Sequence, residues 1–443
     1  MGETLTMDTR ESKVRSYSRA FPAVFHKALG ATLWDESGRA YLDFLAGAGS
    51  LNYGHNNPRI IARMTEYIQN QGIIQGLDMM TRAKREFIEA FDHIILKPRQ
   101  MNYKIQFPGP TGTNAVEAAI KLARKVTGRF NVIAFTNGYH GMTAGALAAT
   151  GNVYHRRDYV GYSGGITFMP FDGYFGPDVN TIAYIRRFIE DSSSGLDTPA
   201  AVILETVQGE GGVNVAAAPW LQALQALCQE HGILLIVDDI QAGCGRTGEF
   251  FSFSESGIEP DIVTLSKSLS ACGLPMSIVL IKPGYDVWEP GEHNGTFRGN
   301  NLAFVAATEA LKQYWSSTAF TSQIESKARF LRSRLDAIAG RYSHLNVAVR
   351  GRGLMAGLSI DDHPELARSI SAAAFHEGLI LETCGNQDHV VKFLPPLIIE
   401  SDELARGLDM VETAFAKAVK THSDAANSAA DLTGDTLHDC SQA

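Results

Sequence analysis

Asp238 and Lys267 are the two residues whose types and placement could share one piece of chemistry. Residues 233–237 form a continuous apolar, β-branched-rich run that stops on Asp238 and Asp239, and residues 261–265 repeat the pattern before Ser266-Lys267-Ser268. Both runs read as strands buried on both faces of a parallel sheet. Ligands in open α/β sheets gather beyond the carboxyl ends of the strands, which is where this acid and this amine fall. Pyridoxal phosphate requires such a pair. The amine forms a Schiff base with the aldehyde, and the carboxylate keeps the pyridine nitrogen protonated so that the ring acts as an electron sink. Other readings compete: a strand-end lysine is commonly ion-paired or solvated, and two adjacent aspartates suit a metal or a helix N-cap. Gly243, Gly245 and Gly248 also spell GxGxxG, the dinucleotide fingerprint. That fingerprint should open an amphipathic helix, and residues 249–254 lack a 3.6-residue period, so the match is treated as accidental.

A phosphate-bearing cofactor needs an anion site. Phe107-Pro108-Gly109-Pro110-Thr111-Gly112-Thr113-Asn114 leads into residues 115–126, where Val116, Ala119, Ile120, Ala123 and Val126 share one helix face. Asn114 and Glu117 have capping-box spacing and mark the predicted helix start. Free N–H groups and the positive dipole end would point together at an anion there, although an ordinary capped helix has the same pattern. Tyr139 and His140 follow a short apolar strand at 131–135, where an aromatic could stack on a flat ring or merely pack. The strand at 201–204 ends on Glu205, with Gly209, Glu210, Gly211 and Gly212 close behind.

The chain has 443 residues, 45% hydrophobic, enough for one large α/β domain and a smaller one. With 39 basic against 48 acidic side chains, a net charge of −9 and no basic tract, nucleic acid is excluded as a partner. The 5 cysteines show no CxxC spacing and suit a reducing compartment, and no metal site is expected. No apolar run reaches membrane-span length and residues 1–16 are too polar for a signal peptide, so the expected location is the cytoplasm.

Residues 1–57 read as a polar arm and a hairpin around Glu36-Ser37-Gly38, followed by a glycine-rich loop at 47–58. Strands alternating with helices from about 100 to 285 imply a mainly parallel sheet within a large domain at 58–315, with a smaller α+β domain at 316–420. The tail at 421–443 is small, polar and acidic, and is expected to be disordered.

Taken together, VDDIQAGCGRTG, PDIVTLSKSL, ILETVQGEGG and GTFRGNN make residues 15–418 resemble the class III (ω-amino-acid) aminotransferases, of fold type I among pyridoxal phosphate enzymes. The resemblance implies that Lys267 carries the cofactor and moves the substrate proton, and that Asp238 pairs with the ring nitrogen. Gln241 would lie near the ring hydroxyl, Tyr139 would stack on the ring beside His140, and Thr111, Gly112 and Thr113 would hold the phosphate. Thr296 would reach the phosphate of a neighbouring subunit, implying a homodimer or a dimer of dimers with shared active sites. Glu205 and Glu210 match the family's paired acids on the substrate side. Three positions depart from the pattern: Thr111 replaces Ser, Thr206 replaces Pro, and Lys392 replaces the arginine that binds the donor's α-carboxylate. A lysine cannot form the bidentate fork, so it would act there as a point charge. Within the family, residues 11–58 and VVKFLPPLII look closest to the diaminobutyrate–2-oxoglutarate transaminases of ectoine biosynthesis. That subgroup passes the amino group of L-glutamate to L-aspartate 4-semialdehyde. Members acting on acetylornithine, ornithine or γ-aminobutyrate, and aminomutases, carry similar motifs.

Overall fold

The computed structural model describes residues 9–157 and 164–434, with backbone alone from 425 to 434. Residues 1–8 of the expected arm and 435–443 of the expected tail lie outside the described residues.

The apolar runs assemble as their composition dictates. A 7-stranded sheet runs in the order Lys104–Gln106, Ile278–Ile281, Ile262–Leu265, Leu234–Asp238, Ala201–Leu204, Val132–Phe135, Ile166–Met169. The last five strands are mutually parallel, and Ile278–Ile281 runs against both of its neighbours. Every residue of the five inner strands is buried, which β-branched and aliphatic side chains allow when helices cover both faces. Parallel pairing sets Asp238 opposite Thr264, so the two strands end level and their following loops emerge side by side.

The hairpin strands Thr32–Asp35 and Ala40–Asp43 pair antiparallel, and Leu379–Ile380 from the far end of the chain adds to their sheet in parallel. A second 4-stranded sheet is wholly antiparallel: Val347–Arg352, Met355–Ile360, Val390–Phe393, Glu382–Cys384. The smaller α+β unit is therefore built from both chain ends.

Two expectations change. The helix after the phosphate loop begins at Gly112, and its capping box joins Thr111 to Asn114 rather than Asn114 to Glu117. Thr111 is extended and donates its hydroxyl to Asn114, so it caps one turn earlier than the Asn-Glu spacing suggested. The helix Ser401–Gly434 also continues past Thr421, where disorder was expected. Its earlier turns are anchored by buried Leu404, Leu408, Val411 and Phe415, and adding residues to an existing helix is far easier than nucleating one. The stretch that follows is alanine-rich and free of proline.

Candidate active site

Asp238 ends its strand with 4% of its surface exposed, and its carboxylate is held from several directions. His140 Nδ1 donates to Oδ2 at 2.7 Å, while Thr264 Oγ1 and the Ile240 N–H donate to Oδ1 at 3.1 and 3.3 Å. Asp239 turns away, is fully buried, and accepts the Ser252 N–H at 3.1 Å. Burial pushes its carboxyl up to about 7, marking it as a tie for the following loop. That loop, residues 240–250, is a chain of turns and opens no helix, so the glycine pattern there is not a dinucleotide site.

Lys267 follows the neighbouring strand and opens a single 3-10 turn, Lys267–Ser270, with a left-handed φ of 49°. A lysine held in that region is strained, and such strain collects at functional sites. Burial pushes its ammonium below the ordinary lysine range, against the opposing pull of Glu210. An amine so shifted is a better nucleophile toward an aldehyde. Ser268, next to it, donates to the Gly49 carbonyl and accepts the Asn52 N–H, which pins the glycine-rich loop onto the site.

Thr111, Gly112 and Thr113 sit together at the helix N-terminus. Both threonine hydroxyls have partners inside the protein, Thr111 with Asn114 and Thr113 with Thr143, and Thr143 in turn donates to Glu117. An anion there would thus meet chiefly backbone N–H groups. Tyr139 is half-buried; burial and then the charges of Glu210, Glu205 and Asp238 raise its phenol, so those three acids surround it. Its backbone N–H donates to Glu205 Oε1 at 2.9 Å. For Glu205, burial pushes the carboxyl up to about 7.

Gln241 donates to Glu210 Oε1 at 3.0 Å and to the Ala48 carbonyl at 3.1 Å. Lys392 is 0% exposed, with Nζ 2.8 Å from Glu210 Oε1 and 2.9 Å from Glu382 Oε1. Burial alone would raise Glu210, but Lys392 and Lys267 overcome it and hold the carboxyl down at about 2. Thr296 stands apart from these groups on an exposed loop, with its carbonyl accepting from Gln75 Nε2 at 2.5 Å.

Several participants escaped the sequence reading. Glu382 lies directly across the hairpin from Lys392, and a strand pairing of 382–384 with 390–393 would have revealed it. Tyr17 donates to Glu382 Oε2 at 3.1 Å, a contact 365 positions apart in the chain. Arg246, fully buried, joins Asn52 to the Leu354 carbonyl, and nothing in its local sequence signals that role.

The donor set suits pyridoxal phosphate. A buried carboxylate answers a ring nitrogen, an activated amine answers an aldehyde, and an open helix N-terminus answers a phosphate. His140 Nε2 and Gln241 Oε1 are buried polar atoms with no hydrogen-bond partner among the described residues, as a site shaped for a polar ligand would leave them.

Known proteins resemble this chain over nearly its whole length. The diaminobutyrate–2-oxoglutarate transaminase of Bordetella parapertussis is 58% identical over 420 residues, 95% of this chain and 96% of that protein. The transaminase of the same description from Halomonas elongata is 52% identical, covering 94% of this chain and 99% of that one. Among solved structures, ornithine aminotransferase from Toxoplasma gondii ME49 superposes with a TM-score of 0.81 at 26% identity, covering 94% and 95% of the two chains. The aminotransferase class-III family model matches residues 14–415, which takes in the acid, the amine, the phosphate loop and Lys392 together, and the chain belongs to that family.

Proposed function

We propose that this enzyme moves the amino group of L-glutamate to L-aspartate 4-semialdehyde, giving L-2,4-diaminobutyrate and 2-oxoglutarate, the transamination that serves ectoine biosynthesis. The observation that carries the reaction type is the near-level ending of two parallel strands, one on Asp238 and the other two residues before Lys267, the acid fixed as an acceptor and the amine activated by burial. The substrate assignment is supported by the relatives of that description at 52–58% identity over nearly their whole length.

Pyridoxal phosphate, when bound, accepts an amino group from the donor and passes it to the acceptor. The chain supplies the rest. Asp238, held by His140, Thr264 and the Ile240 N–H, would keep the ring nitrogen protonated. Lys267 Nζ would be the base that takes the proton from substrate Cα in one half of the reaction and delivers it there in the other. The N–H groups of Gly112 and Thr113 would orient the cofactor through its phosphate, and Tyr139 would cover its ring. Glu205, Glu210 and Lys392 would set the charge on the substrate side.

In this reading the working unit is at least a homodimer, with Thr296 reaching the partner's phosphate. Its support is the exposure of the large apolar side chains Ile73, Leu77, Met79 and Met80 on one segment and of Phe297, 66% exposed, on another. Bonds from the Gly76 N–H to the Gly299 carbonyl and from the Asn301 N–H to the Ile74 carbonyl tie the two segments together. No helix among the described residues is long and apolar enough to cross a membrane, and the unpaired Cys228, Cys244, Cys272 and Cys384 suit the cytoplasm.

The test is a coupled assay of the purified enzyme with glutamate and aspartate 4-semialdehyde, run beside acetylornithine, ornithine and γ-aminobutyrate. Turnover of the semialdehyde far above the others is expected. Preference for acetylornithine would replace the assignment.

A further inference from the structure

The substrate side of the site carries a charge arrangement that the family motifs do not specify. Lys392 Nζ lies between Glu210 at 2.8 Å and Glu382 at 2.9 Å, and no part of Lys392 reaches solvent. The two acids are not equivalent. The Glu210 side chain is 32% exposed, whereas that of Glu382 is 7% exposed. Glu382 is also fixed twice over, by cross-strand register with Lys392 and by the Tyr17 hydroxyl on its second oxygen. Glu210 thus faces the ligand, and Glu382 backs the lysine from within.

Charge counting follows. Lys267 is the other ammonium that favours the charged form of both carboxylates, against burial that leaves Glu382 raised on balance, and a bound cofactor would engage it. Two carboxylates are then left to share one buried ammonium. The atoms offered to a ligand have the same bias. Lys392 has its charge taken up behind Glu210, Glu210 offers only acceptor oxygens, and Gln241 Oε1 is a buried acceptor without a donor. A carboxylate entering here meets acceptors, while an ammonium or guanidinium meets partners.

We propose that Glu382 is a specificity-determining residue: by sharing Lys392 with Glu210 it leaves the substrate side one negative charge in excess, and so favours a ligand with a cationic end over a dicarboxylate. This rests on the function proposed above and deepens it, since the end remote from the reacting carbon carries an ammonium beside its carboxylate in the amino aldehyde and the diamino acid, but a carboxylate alone in glutamate and 2-oxoglutarate. Lys392 acts on ligands through Glu210 rather than as a carboxylate receptor.

The experiment uses the holoenzyme and two probes with the same three-methylene spacer and no transferable primary amine, glutarate and 4-guanidinobutanoate, titrated by calorimetry. The wild type is expected to bind 4-guanidinobutanoate about tenfold more tightly than glutarate. Glu382→Gln keeps the shape and the Tyr17 contact but removes the charge; glutarate should then tighten about tenfold and 4-guanidinobutanoate weaken several-fold. A purely structural role would move both affinities together, and that result overturns the proposal, as does no change in either. Should Glu382→Gln fail to fold, the wild-type ratio decides alone, and glutarate binding as tightly as 4-guanidinobutanoate, or neither probe binding, sinks it. Binding is read without turnover, so an enzyme inactive on the semialdehyde defeats the proposed function and leaves this test standing.

Discussion

His140 donates its Nδ1 proton to Asp238 Oδ2 at 2.7 Å, with both side chains buried. Burial on its own would lower the histidine's pKa, but the hydrogen bond and charge of Asp238, helped by Glu205, raise it above the ordinary value. The pair therefore behaves as a clamp that keeps the Asp238 carboxylate aimed. Asp238→Asn should lower kcat on the order of a thousandfold, because the charge facing the ring nitrogen is lost. His140→Ala should lower it less, and Thr264→Val least, about tenfold, since each removes one of several donors. Steady-state kinetics of the three variants check the order. A Thr264→Val loss equal to that of Asp238→Asn would show that the carboxylate's orientation, not its charge, matters.

Lys267 is predicted to be the one lysine trapped by borohydride in the cofactor-loaded enzyme. Its left-handed backbone and depressed pKa mark it among the chain's lysines, and Lys392 is ruled out by its two ion pairs. Peptide mapping after reduction should place a pyridoxyl group on Lys267, and Lys267→Arg should abolish the label and lower turnover by at least roughly a hundredfold. A label on any other lysine overturns the assignment of the amine.

The phosphate loop has no spare room beside it. At Gly141 φ is 128°, and an added Cβ would sit 2.4 Å from Thr113 Oγ1. Gly141→Ala must displace Thr113 or strain its own backbone, at about 1–3 kcal/mol. The Thr113 N–H should then lose its aim, and cofactor affinity should fall about tenfold or more, measured by equilibrium titration. Gly128→Ala is the control for backbone strain, because nothing lies within 4 Å of its added Cβ although its φ is also positive. It should leave affinity unchanged while lowering Tm.

What could be read from the sequence follows from range. Strands such as 201–204 and 262–265 announce themselves because both faces are buried and every residue is apolar. Asp238 and Lys267 stand out because each interrupts such a run. The Lys392–Glu382 pair was hidden, since it depends on hairpin register, and Tyr17 was hidden because its partner lies on the opposite end of the chain. Glu117 was misread for the converse reason. Its spacing from Asn114 suits a cap, but its carboxylate instead accepts the N–H groups of Gly145 and Ala146 and so caps the helix Ala144–Ala148. Local spacing cannot distinguish a side chain that caps its own helix from one that caps a neighbour.

Glu205 predicts a pH signature. Burial, the largest influence, and the charge of Asp238 push its carboxyl up to about 7, while His140 and the Tyr139 and Gly209 N–H groups oppose them. The native protein thus keeps this proton to about pH 7, whereas the unfolded chain releases it near the ordinary value of 4.5. Between those limits the native state binds more protons, so this group's contribution is fully present below pH 4.5 and is lost as pH rises through 7. Across the window the loss is at most roughly 3 kcal/mol. Asp239 titrates in the same direction, so the contribution of Glu205 must be isolated by difference. Denaturant unfolding of cofactor-free wild type and Glu205→Gln from pH 5 to pH 8 should show the wild type losing stability relative to the variant as pH increases. A difference that stays flat, or grows in favour of the wild type, would mean that Glu205 ionises as an ordinary carboxylate despite its burial.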